Sequence, residues 1–284
     1  MIRMLSTFSI FLSIVCSVPY SASASPQNYG DTATNLQLMK SADWQDRRAA
    51  FYSLLQLGLE GDPRGKTYMF PSALKKLFSL EPERRGEIES SLIALLEREN
   101  ALVLAYAETK RTMPEDLSDY YGDVIGAVAA LKSPASIDSL LGAVSTGGMA
   151  TRALASLGSA AVQPLISKLS DPDPGVRSGA ATALSQMMEE TNRQNVDAAS
   201  RLKIEQALLR VTSDSDVGVR LSAVDGLANF REKGVIVVLE RLAASDPTCF
   251  PGQADQGKDL CPVRNAAQRA LLKANSSPQT EQEQ

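Results

Sequence analysis

Apolar residues in the second half of the chain recur at three- and four-residue intervals, the period of a helix with one buried face. The clearest runs are AVQPLISKL at 161–169, SRLKIEQALLRV at 200–211 and GVIVVLERLAA at 234–244. Each fits a helical period better than strict alternation. After each comes a polar stretch and a second helical run: VRSGAATAL at 176–184, VRLSAVDGL at 219–227 and VRNAAQRAL at 263–271. Inward positions in these later runs are small, and alanine on a helix face lets a neighbouring helix approach closely. The pattern continues upstream through 121–134, 137–144 and 151–158, and more loosely through 43–58, 71–80, 85–99, 100–111 and 115–131. The prediction is an all-α chain.

The later runs are copies of one phrase, with Arg177, Arg220 and Arg264 recurring after 43 and 44 residues. A helical repeat of that length predicts a stacked α–α superhelix, in which each unit buries its apolar face only against its neighbours. Asp171 and Asp173 stand six and four residues before Arg177, and Asp214 and Asp216 stand likewise before Arg220. Asp173 followed by Pro174 is the arrangement of an N-cap and first helical residue. A degenerate copy uses STGG at 145–148 as its turn and puts Arg152 in the arginine register. Further upstream, Arg48, Phe51, Leu54 and Leu55 match Arg177, Ala180, Ala183 and Leu184.

The shared pattern D-x-D-x-x-x-R-x-x-A-x-x-[AG]-L resembles HEAT repeats, especially the subclass named after phycobilisome lyases. The resemblance covers about 130–275 and implies helix pairs in a right-handed superhelix with one convex and one concave layer. It does not imply lyase activity. It also implies a structural ladder between adjacent turns, pairing Asp171 with the repeat of Arg220 and Asp214 with that of Arg264. Such charge-assisted bonds fix register between repeats rather than recruit ligands. The expected organisation is a leader at 1–24, degenerate capping repeats at 25–120, HEAT-like repeats at 121–274 and a disordered tail at 275–284.

Composition narrows the function. A formal net charge of -4 opposes a nucleic-acid partner, and the absence of histidine excludes His-based acid–base catalysis and His-ligated metals. Arg3, the apolar stretch 5–19 and Ala22-Ser23-Ala24 have the form of a cleaved export signal, too short to span a bilayer. Val15 before Cys16 is unlike the small residue of a lipoprotein signal. Cys249 and Cys261 then remain as an even pair in an exported chain, which predicts one disulfide. They bracket an insertion: Asp246 to Arg264 is 18 residues where the other copies have six, so 12 are added.

No constellation of catalytic side chains stands out. Gly61-Asp62-Pro63-Arg64-Gly65-Lys66-Thr67 has three residues between its glycines where a phosphate loop needs four, and it follows a helix rather than a strand. DPDPG at 171–175 and DSDVG at 214–218 lack the later ligands of a calcium loop. No cofactor or metal is implied. The reading is an exported scaffold or adaptor, periplasmic or secreted, that binds another protein and has no transmembrane segment in the mature chain. The face of the helices preceding each turn offers Gln163, Ser167, Arg201, Glu205, Glu240 and Arg241 as partner-binding positions, taken as the concave side. Aromatics beyond residue 30 concentrate before position 122, and Tyr68 and Phe70 beside a turn join the candidates. The alternatives are a helical lyase or hydrolase using Asp, Glu and Lys, or a structural envelope component.

Overall fold

The computed structural model describes residues 30–59, 61–252 and 259–276, and these are helical apart from turns and one isolated antiparallel bridge. The expected leader lies outside the described residues, as does all but the start of the expected tail. In chain order the helices are α1 (Thr32–Leu38), α2 (Trp44–Gln56), α3 (Phe70–Leu80), α4 (Arg85–Glu108), α5 (Glu115–Leu131), α6 (Ile137–Gly142) and α7 (Met149–Ser156). They continue with α8 (Ser159–Lys168), α9 (Pro174–Met187), α10 (Glu190–Arg193), α11 (Ala198–Val211), α12 (Val217–Leu227), α13 (Lys233–Ser245) and α14 (Pro262–Ser276). The fold is an all-α solenoid of stacked helix pairs.

Three boundaries differ from expectation. The two helices expected at 85–99 and 100–111 are one, α4, which ends at Glu108, because Glu99 and Asn100 find partners inside the fold and need no turn. The division expected at 120/121 falls inside α5, whose buried face runs unbroken from Leu117 to Val128. Helix α14 continues through Ser276, past the expected start of the tail.

The hairpin unit is an outer helix, a short turn and an inner helix: α4 packs with α5, α6 with α7, α8 with α9, α11 with α12, and α13 with α14. The inner helices stack closely, α5 on α7, α7 on α9, α9 on α12 and α12 on α14. The outer layer is looser: α8 meets α11 over a shorter length, and α11 and α13 scarcely touch. A stack tight on one side and splayed on the other curves with the tight side inward. The concave layer is therefore α7, α9, α12 and α14. The helices preceding each turn, expected to be concave, are on the convex side.

Small residues permit the tight layer. A Cβ on Gly179 of α9 would lie 2.2 Å from the Val144 carbonyl oxygen, so only glycine fits at this crossing. Ala180, Ala183 and Ala223 are fully buried beside it. The polar link at 188–197 also finds its place here. It crosses the preceding turn at Gly158, whose φ is +60° and whose missing Cβ makes room for the Asn195 carbonyl. Ser159 N–H donates to that carbonyl at 3.1 Å, and Asp197 N–H donates to Ser159 Oγ at 2.9 Å.

Gly179→Ala tests the close crossing. Backbone rather than a flexible side chain must move, so the variant should lose about 1–3 kcal/mol in urea unfolding, as overpacked cores do.

Candidate functional site

Two charged arrangements could be taken for a site, and the structure gives them different roles. The first is the turn ladder. Asp173 and Asp216 cap α9 and α12, accepting from Gly175 N–H at 2.8 Å and Val219 N–H at 3.0 Å. Asp171 and Asp214 brace the same turns by accepting the amides of Asp173 and Asp216. Turn geometry thus accounts for the aspartates of both calcium-like stretches. Among the described residues no group of three or more Asp, Glu, Cys or His is placed to hold a metal ion.

Arg177 and Arg220 each hold two turns. Arg177 Nη1 donates to the carbonyls of Asp171 and Pro172 in its own turn, and Nε and Nη2 fork onto Asp214 of the next at 2.9 and 2.8 Å. Arg220 repeats this with the carbonyls of Asp214 and Ser215 and the carboxylate of Asp246 at 2.8 and 3.1 Å. The pairing runs forward, from each arginine to the following aspartate, opposite to the expected direction. The arginine lies on the helix after its turn and leans toward the next repeat, so the preceding repeat's aspartate is out of reach. Arg264 ends the row, with Nε on the Asp246 carbonyl at 2.7 Å.

The clamp also appears near the N-terminus, one residue away from the expected place. Arg47, not Arg48, donates to the carbonyls of Ser41 and Ala42, six and five residues before it. Its fork meets Glu99 of α4 at 2.6 and 3.0 Å, and Tyr120 also donates to Glu99. The signal was Ser41-x-Asp43-x-x-x-Arg47, which apolar matching one residue later had obscured. Arg48 forms a partly exposed pair with Asp116. At the degenerate repeat Arg152 is exposed, and Gly148 takes the N-cap position without a side chain to brace the turn. Lys168 pairs with Asp171 there at 3.3 Å.

The Gly-rich loop 61–67 is fastened rather than vacant. Asp123 of α5, 4% exposed, accepts from Gly65 N–H at 3.0 Å, Thr67 Oγ1 at 2.9 Å and Tyr52 Oη at 2.8 Å. The loop donors that might cradle an anion already face a carboxylate. Burial, with Asp123 adjacent, pushes the Tyr52 hydroxyl well above its ordinary range. Trp44, Phe51, Tyr52, Phe70 and Tyr120 pack as one aromatic cluster. Phe70 is fully buried and is corrected from a binding candidate to a core residue; Tyr68 is 80% exposed.

The convex-side candidates remain at the surface without forming a common site. Gln163, Ser167, Glu240 and Arg241 are exposed on α8 and α13. Arg201 is half-buried and donates to the Val196 and Arg193 carbonyls. Burial, then the charge of Glu232, raises the carboxyl of half-buried Glu205.

The concave layer carries a second row that composition alone did not reveal. Thr182, Asp225 and Arg269 occupy one register on α9, α12 and α14, at intervals of 43 and 44 residues. Beside them run Gln186, Asn229 and Lys273 at the same intervals. Lys273 Nζ donates to Asn229 Oδ1 at 2.8 Å, and Thr182 Oγ1 lies 2.9 Å from Ser222 Oγ. Asp225 is the exposed residue of α12, whose other sides face α9, α11 and α14. Desolvation nevertheless raises its carboxyl, against the opposing charge of Arg269.

The ladder generates two predictions. Arg220 and Asp246 are 7% and 1% exposed, so Asp246→Leu alone should cost about 3 kcal/mol by stranding a buried guanidinium. Adding Arg220→Met should recover much of that loss in a denaturation double-mutant cycle, as removing both buried charges does. The second concerns acid. The Arg177 bond, first among its causes, lowers the Asp214 carboxyl. Burial raises that of Asp246, but the Arg220 bond and Thr248 amide outweigh it and leave it low. Hydrogen bonds from Ser159 and Ser200 pull Asp197 down to about 2. These groups contribute their stability above the unfolded aspartate value of about 3.9 and lose it as pH falls through their folded values. Urea midpoints should hold from neutrality to about pH 5 and then fall, less steeply in Asp214→Asn.

Residues 145–203 match the family model of HEAT repeats. No curated protein matches the chain. A designed armadillo repeat protein in complex with the peptide (KR)4 is 17% identical, covering 87% of this chain and 100% of that one with a TM-score of 0.43. A computationally designed armadillo repeat protein for modular peptide recognition is 20% identical, with 86% and 99% covered and a TM-score of 0.41. An engineered protein is 18% identical, with 87% and 97% covered and a TM-score of 0.41. The chain is an all-α helical-repeat protein whose residues 145–203 carry HEAT-type repeats.

Proposed function

We propose that the chain is an exported adaptor that binds a protein segment along the concave layer of α7, α9, α12 and α14. The observation that carries this reading is the row Thr182, Asp225 and Arg269, set at repeat spacing on the tightly stacked side, with Asp225 both exposed and desolvated. Such a wall offers a bound chain hydrogen-bonding groups at one register per repeat. Repeats stacked this way act as extended surfaces. Nearby, Gln186 Oε1 is buried with no hydrogen-bond partner among the described residues.

Export rests on two supports that are independent in the chain. The leader-like segment 1–24 stands at one end, and the Cys249–Cys261 disulfide stands at the other. A disulfide that holds architecture together fits an oxidising compartment. Among the described residues no helix is long and apolar enough to cross a membrane.

In-cell crosslinking of the tagged full chain compares the two faces. The concave variant Thr182→Arg/Asp225→Arg/Arg269→Glu should reduce partner adducts about tenfold or more, the effect of losing a charged anchor. The convex variant, with alanine at Gln163, Arg201, Glu240 and Arg241, should retain them. The reverse pattern would move the site to the convex side, and equal retention in both would contradict the adaptor reading. Export is checked by N-terminal peptide mass spectrometry, expected to begin at Ser25; an intact leader on the accumulated protein would contradict it.

A further inference from the structure

The last hairpin differs from the two before it in how its helices are joined. Residues 169–173 join α8 to α9 and 212–216 join α11 to α12, whereas α13 and α14 are joined by 246–261. Arg264 nevertheless reaches the Asp246 carbonyl, through Nε, at the position where Arg177 and Arg220 reach those of Asp171 and Asp214 through Nη1. The turn therefore closes as if the added residues were absent. What removes them is the disulfide. Cys249 and Cys261 are 12 positions apart, the length of the insertion, and their Cα atoms are 4.2 Å apart. That is close to the roughly 3.8 Å between consecutive residues. Phe250 and Leu260 pair as an antiparallel bridge just beyond it. Covalently the clasp makes Cys249 a near-neighbour of Pro262, the first residue of α14.

Apart from the clasp, helix α14 is held by its packing on α12 and α13. Its fully covered side chains are Val263, Ala266, Ala267 and Ala270, three of them alanines. Gln268 and Leu272 face solvent, and no later repeat covers it among the described residues. Both cysteines are half-buried at the stack's edge, beside exposed Pro251, Gly252 and Asp259.

We propose that the Cys249–Cys261 pair is a thiol–disulfide exchange site that sets whether α14 is docked. A protein or small-molecule dithiol is the reductant. Its thiolate attacks one sulfur and forms a mixed disulfide while the other cysteine leaves as thiolate. The reductant's second thiol then displaces the remaining cysteine. The protein disulfide gains two electrons and two protons, and the dithiol becomes a disulfide. With the clasp open, α13 and α14 are joined only through a long unlinked connection, and α14 loses an advantage on the order of a hundredfold in its docking equilibrium. Release uncovers the apolar faces that α12 and α13 turn toward α14. It leaves the α9–α12 rung, Arg177 to Asp214, untouched.

Hydrogen-exchange mass spectrometry on the full chain tests this. With dithiothreitol, peptides within 262–276 should lose protection by about a hundredfold while those of α9 and α12 keep theirs. Cys249→Ser/Cys261→Ser should show the same loss without reductant. Deleting 249–260 with Cys261→Ser returns Arg264 to six residues from Asp246, and this variant should hold α14 whether or not reductant is present. Unchanged protection of α14 in the reduced chain and in the double serine variant would overturn the proposal. So would simultaneous loss across all helices, which would make the bond a staple of the whole fold.

Discussion

The solenoid depends on a guanidinium that holds two turns at once. Arg177 and Arg220 each bind carbonyls at the start of their own helix and a carboxylate from the next repeat. Apolar stacking brings helices together, but it is non-directional, and alanine-rich faces would tolerate sliding. A planar fork on a carboxylate does not tolerate sliding, because both N–H bonds are lost together. Register in the α9–α12–α14 layer follows from this, and with it the alignment of Thr182, Asp225 and Arg269 on the open side. The surface proposed to bind is thus built by residues that do not themselves face a partner.

The same constraint explains the ends of the ladder. At Arg47 a buried glutamate from the long helix α4 replaces the turn aspartate, so the clamp survives where the repeat pattern has decayed. At Arg152 there is no braced turn and the residue faces solvent. At Arg264 a long insertion would have displaced the carbonyl that the clamp needs, and the disulfide returns it. A groove of about 380 Å³ opens between the last two turns, lined in part by Asp214, Arg220, Arg241 and Asp246. Its two carboxylates are already engaged by Arg177 and Arg220, so this charged groove serves architecture rather than recognition.

Much of the fold was legible because local signals agreed. Asp173 and Pro174 announce a helix start, Ala180 and Leu184 its buried face, and Arg177 the repeat. What was not legible depends on relations between repeats. A periodic motif states spacing but not which neighbour an arginine leans toward, so the direction of pairing was reversed. It does not state which layer is tighter either, and so Gln163 and Glu240 were assigned to the wrong side. Arg48 was chosen over Arg47 because apolar positions matched better when shifted by one residue, whereas the polar frame of Ser41 and Asp43 sets the true alignment. Phe70 seemed accessible from its position beside a turn, but it is fully buried with its ring edge-on to Phe51. Asp225 and Arg269 share a repeat position in the sequence, but only the stacking of α12 on α14 sets them side by side.

The central claim is that the arginine clamps, more than apolar contact, hold the repeats in register. Nitrogen-detected NMR of arginine Nε–H groups in the full chain observes them directly. The account predicts slowly exchanging, resolved signals from Arg47, Arg177 and Arg220 at neutral pH, while exposed Arg152 exchanges rapidly. Uniformly rapid exchange across all arginines, in a chain that is otherwise fully helical, would contradict it.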